Sequence, residues 1–498
     1  MNVTASQIGN RVWNMAHVLK DDGLSYLAYV EQITYLLFLK MSHELTQKPY
    51  KRPVVVPAPY DWPTLSSKRG AALEKHYQET LENLSQKKGL LGIIFLKAKP
   101  EIQDPAKLHR LIHDLIEPHT WVSMTVDVKG AIYEELLSRT AKESPSGAGQ
   151  YFTPRPVIDA MVAAMQPGPE DTICDPAAGT GGFLLSAHDY VVKHHPKLNP
   201  DQMRHVKEDL IFACELVPTT ARLCAMNLHL HGIGGKSLPL LAGHDSLATK
   251  PDRTFSMVLA NPPFGKKGSM MSLDDEGNLE REQQIPVRDD FWIGTSNKQF
   301  NFVQHIHTLL KTDGGRAGVV LPDNVLFEGG GGETLRRHLL KSCDVHTLLR
   351  LPTGIFYKPG VKANVMFFDK KPGSAKVQTK KLWVYDLRTN MHFTLKQKPI
   401  TLADFDEFLA CYRPGALHKR KPTWSQDNPD GRWRSYDWAE LEKRDKLDLD
   451  LTWLKDESIE DGSNLPEPDE LAEEMIQDLQ NALELLTEVA QVVTKRPV

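Results

Sequence analysis

At 498 residues, 41% hydrophobic and 25% charged, the chain has the composition of a globular protein and the length of two or three domains. A net charge of −4 excludes bulk attraction to nucleic acid or acidic membranes, so any hold on DNA must come from a local patch or a partner. No run approaches the ~20 apolar residues of a membrane span, and five scattered cysteines without a CxxC pair suit free thiols in a reducing cytosol.

The start, "MNVTASQIGNRVWNMAH", lacks the charged head and apolar stretch of a signal peptide, which fits a cytoplasmic location. Residues 1–142 read as an all-α N-terminal domain. In "LAYVEQITYLLFLKM", Leu27, Val30, Thr34, Leu37, Phe38 and Met41 recur three or four apart, predicting one apolar helix face. "KRPVVVPAPYDWP" predicts a proline-rich connector, "AALEKHYQETLENL" and "VKGAIYEELLSRTA" further helices, and "KESPSGAGQ" a linker. From 143 to 410 the strand candidates "DTICD", "LIFACEL", "LPLLAG", "SMVLA", "RAGVVLP", "HTLLRL" and "VKANVMFFD" alternate with helices. That predicts an α/β fold with a mostly parallel, doubly wound, Rossmann-like sheet, whose ligands bind beyond the carboxyl ends of the strands. Residues 411–464, with "RPGALHKRKPTWSQDNPDGRW", predict an irregular connector. In 465–498, Ala472, Met475, Leu479, Leu483, Leu486, Ala490 and Val493 put a narrow apolar stripe on an acidic helix, a seam for another helix of this chain or of a partner.

Two strand ends carry the chemistry. In "ICDPAAGTGGFLLSAH", Asp175 closes a strand and Gly179, Thr180, Gly181 and Gly182 lead into a helix, where a ligand can approach the backbone closely. A dinucleotide site would want GxGxxG, and the spacing here is GxGG. A P-loop fails as well, because "LHGIGGKS" has Leu230 where its first glycine belongs. S-adenosylmethionine, which carries no phosphate, is the third reading. It needs an acid at the end of the second strand for the ribose hydroxyls, and Glu215 stands there. Asp245, after the third strand, could accept from the adenine amine.

"VLANPPF" follows the fourth strand. An exocyclic base amine is a poor nucleophile because its lone pair is delocalised into the ring. The side-chain oxygen of Asn261 and the carbonyl of Pro262 could bind its two hydrogens and aim the lone pair at a methyl group. Pro262 and Pro263 fix the backbone, and Phe264 can stack on a base flipped out of the duplex.

"GQYFTPRPVIDAMV", "DPAAGTGGFLLSA" and "NPPFG", in that order, resemble the modification subunit of type I restriction–modification systems, an adenine-N6 DNA methyltransferase family using S-adenosylmethionine. The resemblance covers most of the chain. It implies a methyltransferase sheet between a helical N-terminal domain and a C-terminal helical tail. It implies double-stranded DNA as substrate, a separate specificity subunit with two copies of this chain per copy, and a restriction subunit in the full complex. It also implies cofactor contacts from Gln150, Tyr151, Phe152, Thr153, Pro154 and Arg155, from Thr180, Gly181 and Gly182, and from Glu215, with Asn261, Pro262, Pro263 and Phe264 as the catalytic tetrad. Asp245 rests on strand order.

The chemistry alone leaves cytosine N4 open, and the same corner could serve an RNA base or a protein glutamine. A non-catalytic scaffold is a further reading. No His or Cys spacing suggests a metal site. The charged stretch 265–300 reads as a long loop that could close over DNA with Lys266 and Lys267 near phosphates, or simply be solvated. "EGGGGETLRR" imitates a phosphate cradle but lacks the Lys-Ser/Thr that follows one, and reads as a helix start.

Overall fold

A computed structural model describes residues 26–122, 153–235, 237–265, 269–273, 279–283, 285–356, 360–373, 376–395 and 397–456, with positions 472, 475, 476, 479, 480 and 483. The helix expected at 128–141 and the linker at 142–150 lie outside these residues. The chain divides into two units, residues 1–152 with 167–260, and residues 153–166 with 261–498.

In the first unit the helix Tyr26–Thr46 was expected to bury one face. It is instead buried on all sides from Ile33 to Ser42. Neighbours arrive from every direction. Tyr35 stacks on Phe95 at 5.3 Å and Phe38 meets its edge at 5.8 Å. Buried Gln32 accepts from Tyr77 Oη at 2.9 Å and donates to the Lys99 carbonyl at 2.9 Å. Lys40 survives burial because Glu117 and Glu44 lie 3.5 and 3.7 Å from its ammonium. Further helices, Trp62–Ser66, Gly70–Ser85, Leu90–Ile94 and Pro105–Arg110, bear out a helical region before the sheet.

Four strands of this unit, β1 (Ile173–Asp175), β2 (Ile211–Glu215), β3 (Leu240–Ala242) and β4 (Met257–Ala260), lie in the order β4-β1-β2-β3 and pair in parallel. The helices Gly182–His194, Pro200–Glu208 and Pro218–Leu230 carry the crossovers, as parallel pairing requires. Their carboxyl ends therefore share one edge. Four of the five cysteines are buried and all are unbridged.

The second unit holds a different sheet pattern. β5 (Ser269–Leu273) and β6 (Leu279–Gln283) form an antiparallel hairpin. β7 (Arg316–Pro322), β8 (Cys343–Arg350), β9 (Ala363–Lys370), β10 (Lys381–Asp386) and β11 (Trp433–Asp437) lie in the order β11-β10-β8-β9-β7. Only β8 and β10 pair in parallel; β7–β9, β8–β9 and β10–β11 are antiparallel. The expected mostly parallel sheet thus holds for the first unit, and the second is mixed. The described links between β8 and β9 contain no helix, and an antiparallel pair needs none.

Two loop expectations are corrected. The connector expected at 411–464 contains β11, paired with β10 from Lys381–Asp437 to Tyr385–Trp433. The loop expected at 265–300 contains the β5–β6 hairpin and a stretch laid down on the helix Lys298–Leu309. There Arg288 and Asp290 form a buried ion pair at 2.5 Å, Thr308 donates to Asp290 at 2.7 Å, and the Gln304 amide brackets both backbone groups of Ile293. Trp292 lies against His307 at 4.6 Å and stacks on His338 at 5.4 Å. Lys266 and Lys267 fall outside the described residues.

The glycine run before the helix Gly331–Ser342 serves packing. A Cβ on Gly332 would lie 3.0 Å from the Phe300 ring and 3.2 Å from Nη1 of Arg336. Arg336, 1% exposed, donates to four backbone carbonyls, those of Val325, Glu328, Lys446 and Leu447, at 2.7–3.0 Å. No helix among the described residues is long and apolar enough to cross a membrane.

Candidate active site

β1 delivers Asp175 to the carboxyl edge with its carboxyl buried. Its Oδ1 accepts from Ala177 N–H at 3.0 Å. Burial, with the nearby charge of Glu215, pushes this carboxyl up to about 8 against the pull of the Ala177 bond. The turn that follows is held by its own and neighbouring chain segments. Ala178 N–H donates to the Cys214 carbonyl at 2.9 Å and Gly181 N–H to the Ala178 carbonyl at 2.8 Å. Gly181 has φ +88°, and a Cβ there would stand 3.2 Å from Cys224 Sγ, so both conformation and contact demand glycine. The helix Gly182–His194 begins directly after it.

β2 ends in Glu215, whose Oε2 accepts from Gly179 N–H and Oε1 from Val217 N–H, both at 2.8 Å. Two backbone donors fix the carboxylate in place while each oxygen keeps a second lone pair for a ligand. Burial raises its pKa, against the pull of those N–H groups. Above Gly179 there is open space, since a Cβ would meet nothing within 4 Å. From Asp175 to Gly182 the turn carries no basic side chain. The Glu215 carboxylate beside an open turn disfavours phosphate and suits a ligand bearing hydroxyl or ammonium groups. Asp245 is exposed, and its Oδ1 accepts from Leu247 N–H at 2.9 Å, closing a local turn.

Sequence reasoning missed two residues that support this turn. Ser246 Oγ donates to the Pro176 carbonyl at 2.6 Å, and Asn227 Nδ2 donates to the Thr180 carbonyl at 3.0 Å. Asn227 did leave a signal, an amide inside the apolar run "LCAMNLHL".

In the second unit the chain runs from the last residue of β4 straight into Asn261. Asn261 is 8% exposed and Pro262 is buried. The Asn261 Nδ2 donates to Thr153 Oγ1 at 2.8 Å, so the two quoted motifs "YFTP" and "NPPF" meet in one side-chain bond. Phe264 is half-buried, and buried Phe356 meets it edge to face, centroids 6.4 Å apart. Pro154 caps the helix Arg155–Met165, and Arg155 pairs with Asp159 one turn on at 3.2 Å. Gln150, Tyr151 and Phe152 lie outside the described residues. Among the described residues no cluster of His, Cys, Asp and Glu could hold a metal ion.

Comparison with known proteins assigns the chain. Residues 124–430 match the N-6 DNA Methylase family and residues 8–115 the HsdM N-terminal domain. The type I restriction enzyme StySJI methylase subunit of Salmonella typhimurium is 37% identical over 95% of this chain and 92% of its own. The EcoKI methylase subunit of Escherichia coli K12 shows the same identity and coverage. Among solved structures, the EcoKI M protein aligns over 98% of this chain and 96% of its own with TM-score 0.52 and 32% identity. A modification subunit of a putative type I restriction enzyme from Vibrio vulnificus covers 88% of this chain and 93% of its own with TM-score 0.67 and 24% identity, a likeness of fold. The mixed α/β sheet is thus a methyltransferase fold behind an HsdM-type helical region, and the chain belongs to the N-6 DNA methylase family as a type I restriction enzyme methylase subunit, an adenine-specific DNA methyltransferase.

Proposed function

We propose that this chain, in the cytoplasm, transfers the methyl group of S-adenosylmethionine to adenine N6 of double-stranded DNA. It does so as the modification subunit of a type I restriction–modification complex, protecting host DNA at a sequence that a specificity subunit selects. The observation that carries the reading is the Asn261–Thr153 bond. With Nδ2 committed to Thr153, the amide is oriented and its Oδ1 is the arm offered to a base. Oδ1 accepts one N6 hydrogen and the Pro262 carbonyl the other, which turns the nitrogen toward tetrahedral geometry. Pro263 holds that corner, and Phe264, propped by Phe356, stacks on the flipped base.

Glu215, oriented by Gly179 and Val217, takes the ribose hydroxyls of the cofactor; Asp175, Gly179, Thr180, Gly181 and Gly182 line the rest of its seat, with Asp245 near its adenine. Gln150, Tyr151, Phe152, Thr153, Pro154 and Arg155 complete the contacts. When bound, the cofactor supplies an already activated sulfonium methyl, so the protein's task is orientation. The methylated nitrogen then loses its proton to solvent without a strong base.

Partner contact falls to the C-terminal helix. Met475, Ile476 and Leu479 are helical and more than half exposed, which supports docking against a specificity subunit, with two copies of this chain per complex and a restriction subunit joining them. The test is single-molecule sequencing of DNA from cells carrying this protein with its genomic neighbours, beside an Asn261→Ala strain. N6-methyladenine at a split, two-part motif should vanish in the variant. Its persistence, or the loss of N4-methylcytosine instead, would overturn the reading.

A further inference from the structure

The helix Pro218–Leu230 touches two things at once. On one side, Cys224 Sγ lies 3.2 Å from where a Cβ on Gly181 would stand, and Asn227 holds the Thr180 carbonyl. Half a turn of the helix away, Arg222 and His229 face the N-terminal helices, since positions 222 and 229 lie opposite 224 and 227 at 3.6 residues per turn. Arg222, 4% exposed, donates to the Leu96 carbonyl at 2.9 Å, places Nη1 3.0 Å from Glu31 Oε1, and lies over the Tyr35 ring at 4.9 Å. His229 packs on Phe38 at 5.9 Å, and its carbonyl accepts from Arg52. The same helix starts at the residue after Val217, whose N–H fixes Glu215. One rigid rod of 13 residues therefore carries the glycine turn on one face and the N-terminal helices on the other.

We infer that Arg222 and Asn227 are positioning residues through which the docked N-terminal helices set the shape of the cofactor turn. The N-terminal region is then part of the cofactor site without touching the cofactor. Thermodynamic reciprocity follows: a ligand that orders the turn tightens the N-terminal helices, and loosening those helices weakens the ligand. This inference rests on the turn being the seat of S-adenosylmethionine.

The test uses the full chain without ligand first, by amide hydrogen exchange. Arg222→Met, and the milder Glu31→Gln should the first fold poorly, are expected to speed exchange both in residues 29–38 and at Ala178, Gly181 and Leu185. Arg336→Met, an equally buried arginine of the second unit, should leave those three amides unchanged. Titration with S-adenosylmethionine should then show roughly tenfold weaker binding for Arg222→Met and for Asn227→Ala. Their combination should add little beyond either alone, and Arg222→Lys should recover part of the loss. Faster exchange confined to the N-terminal helices, with the turn and the affinity at wild-type values, would overturn the inference. If the wild-type chain fails to bind S-adenosylmethionine, the cofactor reading falls, and the ligand-free exchange still decides whether the rod couples the two faces.

Discussion

Asp175 holds a proton at neutral pH that the same residue in the unfolded chain has released. With a native value of about 8 and an unfolded value of about 4, this group's contribution to stability is fully present below about pH 4. It is lost progressively as pH rises to about 8, by at most ~1.4 kcal/mol per unit, and levels off above. Asp175→Asn keeps an Oδ1 acceptor for Ala177 and removes the titration. In the ligand-free chain its melting temperature should exceed wild type by a margin that widens from pH 5 to pH 8; a margin constant with pH would refute the assignment. At this scale, strand ends were legible: Asp175, Glu215 and Asn261 each stand where an apolar run stops. Their supports were not. Ser246 and Asn227 act on carbonyls 70 and 47 positions away in the chain, and a backbone carbonyl leaves no mark in a sequence.

Elements were legible in proportion to how much apolar surface they bury. All seven strand candidates became strands, β7 with the bounds of "RAGVVLP" itself. β5, β6, β10 and β11 escaped. In β11 only Trp433 and Tyr436 are buried, so its polar remainder blended into the loop before it. The long helix Tyr26–Thr46 showed its period but not its full burial, because its other faces are covered by groups from distant segments, among them Tyr77, Phe95 and Glu117. The helix Gly331–Ser342 makes the sharpest case. Its Arg336 ties residues 446 and 447 into the second unit, and burial lowers its pKa to about 10. Arg336→Met should destabilise the second unit by about 3 kcal/mol or more, since four of its carbonyls lose a charged donor. Denaturant unfolding checks this, and a loss under about 1 kcal/mol would show that water replaces the guanidinium.

For the whole molecule, near-neutral charge was the most informative single number. A chain of net charge −4 is expected to hold DNA weakly by itself and tightly only once a specificity subunit is present. Mobility shifts at about 50 mM salt should show this contrast; a tight complex of the isolated chain with a steep salt dependence would contradict it. The order of helical region, sheet and tail could be read from changes of period along the chain. The division into two units could not, because it threads residues 153–166 out of their sequence neighbourhood and into the company of residues after 260.

The buried thiols have a practical consequence. The Cys214 carbonyl accepts from the glycine turn, Cys224 backs Gly181, and Cys174 precedes Asp175, and burial raises all three thiols above their ordinary value. Each is expected to react slowly with alkylating reagents for as long as it stays buried. Cys411, half-buried in the other unit, serves as the internal standard. The natural chain thus carries its own stopwatch: the alkylation rate of these cysteines, resolved by mass spectrometry, times each opening of the methyltransferase site without any label being engineered in.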